Sequence, residues 1–140
     1  DQVVDGLRYI HVVRDGRDMA FSKQTGTLKQ HCELLVGKPW SRAGAARIAF
    51  ESWEVSNLRA AGYGEQRMGT RYLCVRLEQL CEPASRDASA LAQFLGAPLD
   101  RVASVFEPQA SFGRWRRARV DKALAKLFCT STALTHWGYA

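Results

Sequence analysis

An α/β fold with a parallel sheet flanked by helices is predicted by two features of the sequence. Two short apolar runs, Tyr9-Ile10-His11-Val12-Val13 and Arg71–Val75, carry β-branched and aromatic residues with almost no polar interruption, the pattern of strands buried on both faces of a parallel sheet. Between and beyond them, apolar residues recur at helical spacing. At 140 residues and 46% hydrophobic, the chain is long enough to bury a core and is read as one domain or most of one.

The first strand leads directly into a helix. Asp15 is a good N-cap, Asp18 stands three residues on as in a capping box, and Gly16 eases the turn. With a helix starting near Gly16, Asp18 and Ser22 share a face. Arg14 lies at the carboxyl end of the strand, where open α/β sheets place ligands, and a helix N-terminus there offers N–H groups to an anion. The competing reading is an arginine that only caps or pairs locally.

From Lys23 to Trp40, with Gly26, Gly37 and Pro39, the helix is expected to break into an irregular segment. Ser41 to Gly62 reads as a long helix with Ala46, Ala49, Phe50, Trp53, Asn57, Ala60 and Ala61 on one face, ended by Gly62-Tyr63-Gly64. Trp53 is read as core; Asn57, polar on an apolar face, needs a buried partner. After the second strand come a helix from Ser85 to Leu95, stopped by Gly96 and Pro98, and a further helical piece over Leu99–Phe106.

The net charge of +6 is unevenly spread. Arg114, Arg116, Arg117, Arg119, Lys122 and Lys126 face only Asp121 in opposition. Val120, Leu124, Leu127 and Phe128 form an apolar stripe at helical spacing, which turns most of these cations to water. Arg114 and Arg116 precede the stripe in a Gly-containing loop and are the exceptions, available to an anion.

Ile10 to Ser22 resembles the second nucleotide-binding motif of the sulfotransferases that use 3′-phosphoadenosine 5′-phosphosulfate (PAPS). In that family an arginine at the strand end and a serine eight residues later hold the 3′-phosphate, and Arg14 and Ser22 have that spacing. A guanidinium offers a planar fork to two phosphate oxygens, and a hydroxyl adds one adaptable donor. Two later stretches follow in the family's order. Trp53 and Asn57 precede Arg71–Leu80 and Pro83, similar to the family's strand and "R-Y-E-D-L" signature; Ser111–Arg116 is similar to its Gly-x-Trp-basic segment. The resemblance implies a P-loop-type sulfotransferase fold, a parallel sheet flanked by helices.

The chain departs from the family in several places. Leu77 stands where many relatives have tyrosine, and Pro108-Gln109-Ala110 where the cytosolic branch has an Arg-Lys-Gly phosphate grip; Arg114 and Arg116 are expected to supply a basic neighbourhood instead. No glycine-rich phosphate loop precedes the strand at residue 7, Thr25-Gly26-Thr27 lacks the required lysine, and the family's upstream catalytic base has no counterpart. The expectation is therefore a single partial domain over 1–140, the C-terminal portion of a sulfotransferase lacking its first strand and phosphate loop. By itself this portion is expected to be inactive, with no assigned catalytic residue.

The implied reaction is transfer of a sulfuryl group from PAPS, without a metal, to a hydroxyl- or amine-bearing acceptor. The cofactor-binding residues are Arg14, Ser22, Arg114 and Arg116. The alternative is a non-catalytic basic module that binds nucleic acid or an anionic glycan; under the sulfotransferase reading nucleic acid is not a partner. A nucleotide kinase of similar fold is disfavoured by the absence of an ATP-type phosphate loop. No run of about 18 apolar residues predicts a membrane span. Cys32, Cys74, Cys81 and Cys129 show no C-x-x-C pair or zinc spacing, so a reducing, cytoplasmic compartment is expected, or the Golgi lumen if an anchor precedes this portion. His11 is read as a core residue, and His31 lies in the region where relatives contact acceptor.

Overall fold

The computed structural model describes residues 6–23, 25–82 and 84–140; Pro83 lies outside them. The fold is α/β, with a two-stranded parallel sheet flanked by helices. Its contacts divide the chain into two compact units. One comprises the chain up to Arg14 and Arg59–Ala110, the other Asp15–Leu58 and Ser111–Ala140.

The first unit holds the sheet. β1 (Tyr9–Val13) pairs with β2 (Tyr72–Arg76) in parallel, Tyr9 opposite Tyr72 and Val13 opposite Arg76. One face of the sheet is covered: Val75, with Ile10 and Leu73 packed beside it, meets Leu80, Ala88, Leu91, Ala92 and Val102 in a continuous apolar core. These come from α4 (Leu77–Leu80), α5 (Arg86–Leu95) and α6 (Leu99–Ala103). β1 carries buried residues on both faces, His11 and Val13 on one and Ile10 against this core on the other, but Val12, on the same face as Ile10, is 47% exposed. His11 is buried, as read, with Nδ1 2.8 Å from the Tyr72 hydroxyl.

Ser85 caps α5 through its side chain, which accepts the Ala88 N–H, and Gly96 ends the helix in the left-handed conformation, as its composition predicted. Other boundaries moved. Leu77–Leu80, beyond the expected strand, forms α4, and α6 stops at Ala103, short of Phe106. The long helix α3 (Ala45–Tyr63) starts later than Ser41 but ends within Gly62-Tyr63-Gly64, as read, where a π-helical turn at Gly64–Met68 takes over. Gly64 also serves close packing, since a Cβ there would clash with the Tyr72 ring.

The second unit is helical. It contains α1 (Gly16–Ala20), α2 (Gly26–Val36), α3 through Leu58, a 3-10 turn at Arg114–Arg117, α7 (Lys122–Thr130) and α8 (Thr132–His136). The segment expected to be irregular is a regular helix, α2, which buries Cys32 and ends at Gly37 in the left-handed conformation. Its core is aromatic: Phe50 meets Phe128 edge-on at 4.8 Å, and Trp53 meets Trp137 at 5.7 Å. Leu124 and Phe128 of the predicted stripe are buried, while Lys122 and Lys126 are exposed. Glu54 fastens α8, accepting the Ser131 hydroxyl at 2.6 Å while Ser131 accepts the Leu134 N–H.

Candidate functional site

The helical unit concentrates its polar order around α1. Asp15 is the N-cap, as expected, accepting the Arg17 N–H at 2.9 Å. Its carboxylate is gripped by the Arg17 guanidinium through Nε at 2.9 Å and Nη2 at 2.8 Å. Arg17 also donates to the Tyr139 carbonyl at 2.6 Å and lies over the Trp115 ring at 4.3 Å. One guanidinium thus joins the N-cap, the basic loop and the chain's last residues, a role the sequence did not announce.

Asp18 is 1% exposed, and its carboxylate reaches beyond its own helix. Its Oδ2 accepts the Gly113 N–H at 2.8 Å and its Oδ1 the Trp115 N–H at 3.0 Å. A carboxylate spanning two N–H groups fixes both the position and the orientation of a turn. The Ser111–Arg116 segment is thereby held against α1. Gly113 adopts φ 67°, which suits glycine, and opens the 3-10 turn.

The four residues proposed for the cofactor are placed as follows. Arg14 belongs to the sheet unit, directly after β1, and is half-buried. Ser22 lies beyond the end of α1 at Ala20, so it does not share a helical face with Asp18. Arg114 is half-buried and donates to the carbonyl of Phe21, the residue before Ser22, at 3.2 Å. Arg116 is exposed, its guanidinium 5.7 Å from the Trp115 ring. Ser22 and Arg114 thus come from motifs far apart in sequence to adjoining positions in one unit.

The helix N-terminus contributes less than expected. α1 has five residues, too few to build the full macrodipole, and the Arg17 N–H is already taken by Asp15. Any anion near Ser22 must therefore be held by side chains.

Beside Ser22 a cavity of about 280 Å³ opens in the same unit. Met19, Leu28, Leu35, Ala49 and Trp53 supply its apolar walls, with Ser22, His31, Ser52 and Asn57 among its polar lining. Trp53 is core, as read. Asn57 donates to the Trp53 carbonyl one turn back along α3, at 2.7 Å.

Among the described residues no group of three His, Cys, Asp or Glu side chains could hold a metal ion, and no helix is long and apolar enough to cross a membrane. No family model, curated protein or solved structure matches this chain.

Proposed function

We propose that this chain is a region of a PAPS-dependent sulfotransferase of P-loop-type fold and supplies contacts to the 3′-phosphate of the donor. The observation that carries the reading is the bond of Asp18 to the Gly113 and Trp115 N–H groups. It unites the two stretches that resemble the family's nucleotide motifs and puts Arg114 against the carbonyl preceding Ser22. The residues fit the phosphate end of the nucleotide, where a cation and a hydroxyl are needed. Ser22 donates its hydroxyl, Arg114 supplies charge, and Arg116 adds to the local positive potential. Arg14 is assigned to the same phosphate by the resemblance alone.

When bound, PAPS supplies the sulfuryl group, and an acceptor hydroxyl or amine receives it. This chain's part is to orient the donor and complement its charge. The sequence holds no glycine-rich loop for the 5′-phosphosulfate, so the reacting end is assigned to no residue here.

A second reading is favoured by one observation: Arg116, Arg117, Arg119, Lys122 and Lys126 are all exposed, as a basic module for nucleic acid or an anionic glycan requires. Calorimetry separates the two. Under the sulfotransferase reading, 3′-phosphoadenosine 5′-phosphate binds in preference to AMP and inorganic phosphate, and the preference persists at moderate salt. Arg14→Ala and Arg114→Ala each weaken it by about tenfold or more, as the loss of a charged hydrogen bond implies. Equal binding of all three ligands, lost steeply with salt, gives the site to the basic module.

A further inference from the structure

We infer that Cys74, His11 and Tyr72 form a reactive-thiol site, at which a hydroperoxide oxidises Cys74 to a sulfenic acid. All three stand on one face of the sheet, because successive strand residues alternate between faces and the register sets Cys74 opposite His11. It is the face turned away from the apolar core that holds Ile10, Leu73 and Val75. His11 Nδ1 lies 2.8 Å from the Tyr72 hydroxyl and 3.8 Å from Cys74 Sγ, so one ring nitrogen joins the phenol and the thiol. Cys74 is half-buried rather than enclosed, and β2 has a neighbouring strand on one side only among the described residues. Its partial exposure admits a reagent as small as a peroxide.

The oxidation needs a base for the thiol proton and donors for the sulfur anion, since the thiolate is the nucleophile. His11 is the base. Once Nδ1 takes the proton it donates to the Tyr72 oxygen, and the Tyr72 O–H is freed to turn to the thiolate. Burial first, then the charge of Cys74 and the hydrogen bond to it, push the Tyr72 phenol above its ordinary pKa, with Glu65 and Tyr9 adding to the effect. The phenol therefore keeps its proton at neutral pH and stays a donor. The thiolate sulfur attacks one peroxide oxygen; the S–O bond forms as the O–O bond breaks, and the sulfur gives up two electrons to the peroxide. The departing hydroxide or alkoxide takes the proton from His11 Nδ1 and leaves as water or alcohol.

The test is brief exposure of the folded chain to hydrogen peroxide at pH 7, with dimedone present to trap sulfenic acid, followed by peptide mass spectrometry. Cys129, exposed on α7, is the internal reference. Cys74 is expected to be trapped about tenfold faster than Cys129, because base assistance outweighs exposure once the thiolate is the reacting species. Tyr72→Phe keeps the ring that packs on Gly64 and removes only the hydroxyl. It should slow Cys74 by about threefold or more and leave Cys129 unchanged, since a lost hydrogen bond lowers the thiolate fraction more than it raises the sulfur's nucleophilicity. His11→Gln should slow Cys74 at least as much; should it disturb the fold, Tyr72→Phe carries the expectation. Trapping at Cys74 no faster than at Cys129, or a Cys74 rate indifferent to Tyr72→Phe, overturns the inference. No nucleotide takes part, so the outcome is independent of the donor reading.

Discussion

Asp18 Oδ2 accepts the backbone N–H of Gly113 at 2.8 Å, a bond that spans 95 positions of sequence. With Oδ1 on Trp115 N–H, the side chain satisfies two donors of the basic turn while being almost wholly buried. The anchor serves fold and site at once, because the same turn carries Arg114.

Asp18→Ala is expected to cost about 2–4 kcal/mol, since charged hydrogen bonds contribute about 1.5–3 kcal/mol each and two backbone donors lose their acceptor. Asp18→Asn keeps one acceptor oxygen and places an NH₂ against the other donor, so it recovers little. Urea denaturation of the two variants measures this. A loss below 1 kcal/mol for Asp18→Ala would show that water replaces the carboxylate without penalty.

Two glycine substitutions should move stability in opposite directions. A Cβ on Gly16 would lie 2.2 Å from the Trp53 ring, and that ring is buried between Phe50 and Trp137. Gly16→Ala is expected to destabilise by about 1–3 kcal/mol through overpacking. A Cβ on Gly62, inside α3, meets nothing within 4 Å, so Gly62→Ala should stabilise by about 0.5–1 kcal/mol through helix propensity. Thermal melts of both variants distinguish space from backbone freedom as the reason for each glycine.

The Glu51 carboxylate is set between Lys38 Nζ at 2.7 Å and Arg47 Nε at 2.8 Å. Burial pushes its pKa up, but the hydrogen bonds and charges of Lys38 and Arg47 together outweigh burial and hold it below the ordinary value. A depressed carboxyl stabilises the fold above its unfolded pKa, about 4.3, and that contribution disappears as pH falls through the lowered value. Glu51→Gln should thus cost under about 1 kcal/mol at pH 7, screened because both cations are substantially exposed, less in high salt, and nothing at pH 2. A variant penalty that persists undiminished at pH 2 would contradict the ion-pair origin.

Three of the thiols should react in order of access. Cys129 is exposed, whereas Cys32 is 1% exposed. Cys81 is half-buried, donates to the Glu107 carbonyl at 3.2 Å, and has its pKa pushed up by burial and then by Glu78 and Glu82. At pH 8 the thiolate is the reacting species, so alkylation followed by mass spectrometry should label Cys129 first, Cys81 slowly, and Cys32 only with unfolding. Rapid labelling of Cys32 in the folded chain would place it outside the core described here.

The parts of the fold that were legible in sequence are those governed by neighbouring residues. Asp15 capped α1, Ser85 and Gly96 bounded α5, and the Leu124 and Phe128 stripe turned inward with Lys122 and Lys126 outside. The misreadings involve context that lies elsewhere in the chain. Asp18, three residues after a cap, has the spacing of a capping box, and nothing near it in sequence signals the two distant N–H groups that its carboxylate accepts. Gly26 and Gly37 suggested a break, but they stand at the two ends of α2. Gly64 marks the end of α3, as read, but the Tyr72 ring packed against it had no local signal.

The candidate site divides in the same way. Ser22, Arg114 and Arg116 were singled out by residue type and spacing, whereas Arg17, which joins Asp15, Trp115 and Tyr139, had no sequence signal. The sequence by itself determined periodicity, caps and the residues able to meet an anion, because these depend on chemistry within a few residues. Only the tertiary structure decided which of those residues meet, since a carboxylate's partner or a cavity's wall is set by chain segments brought together in folding.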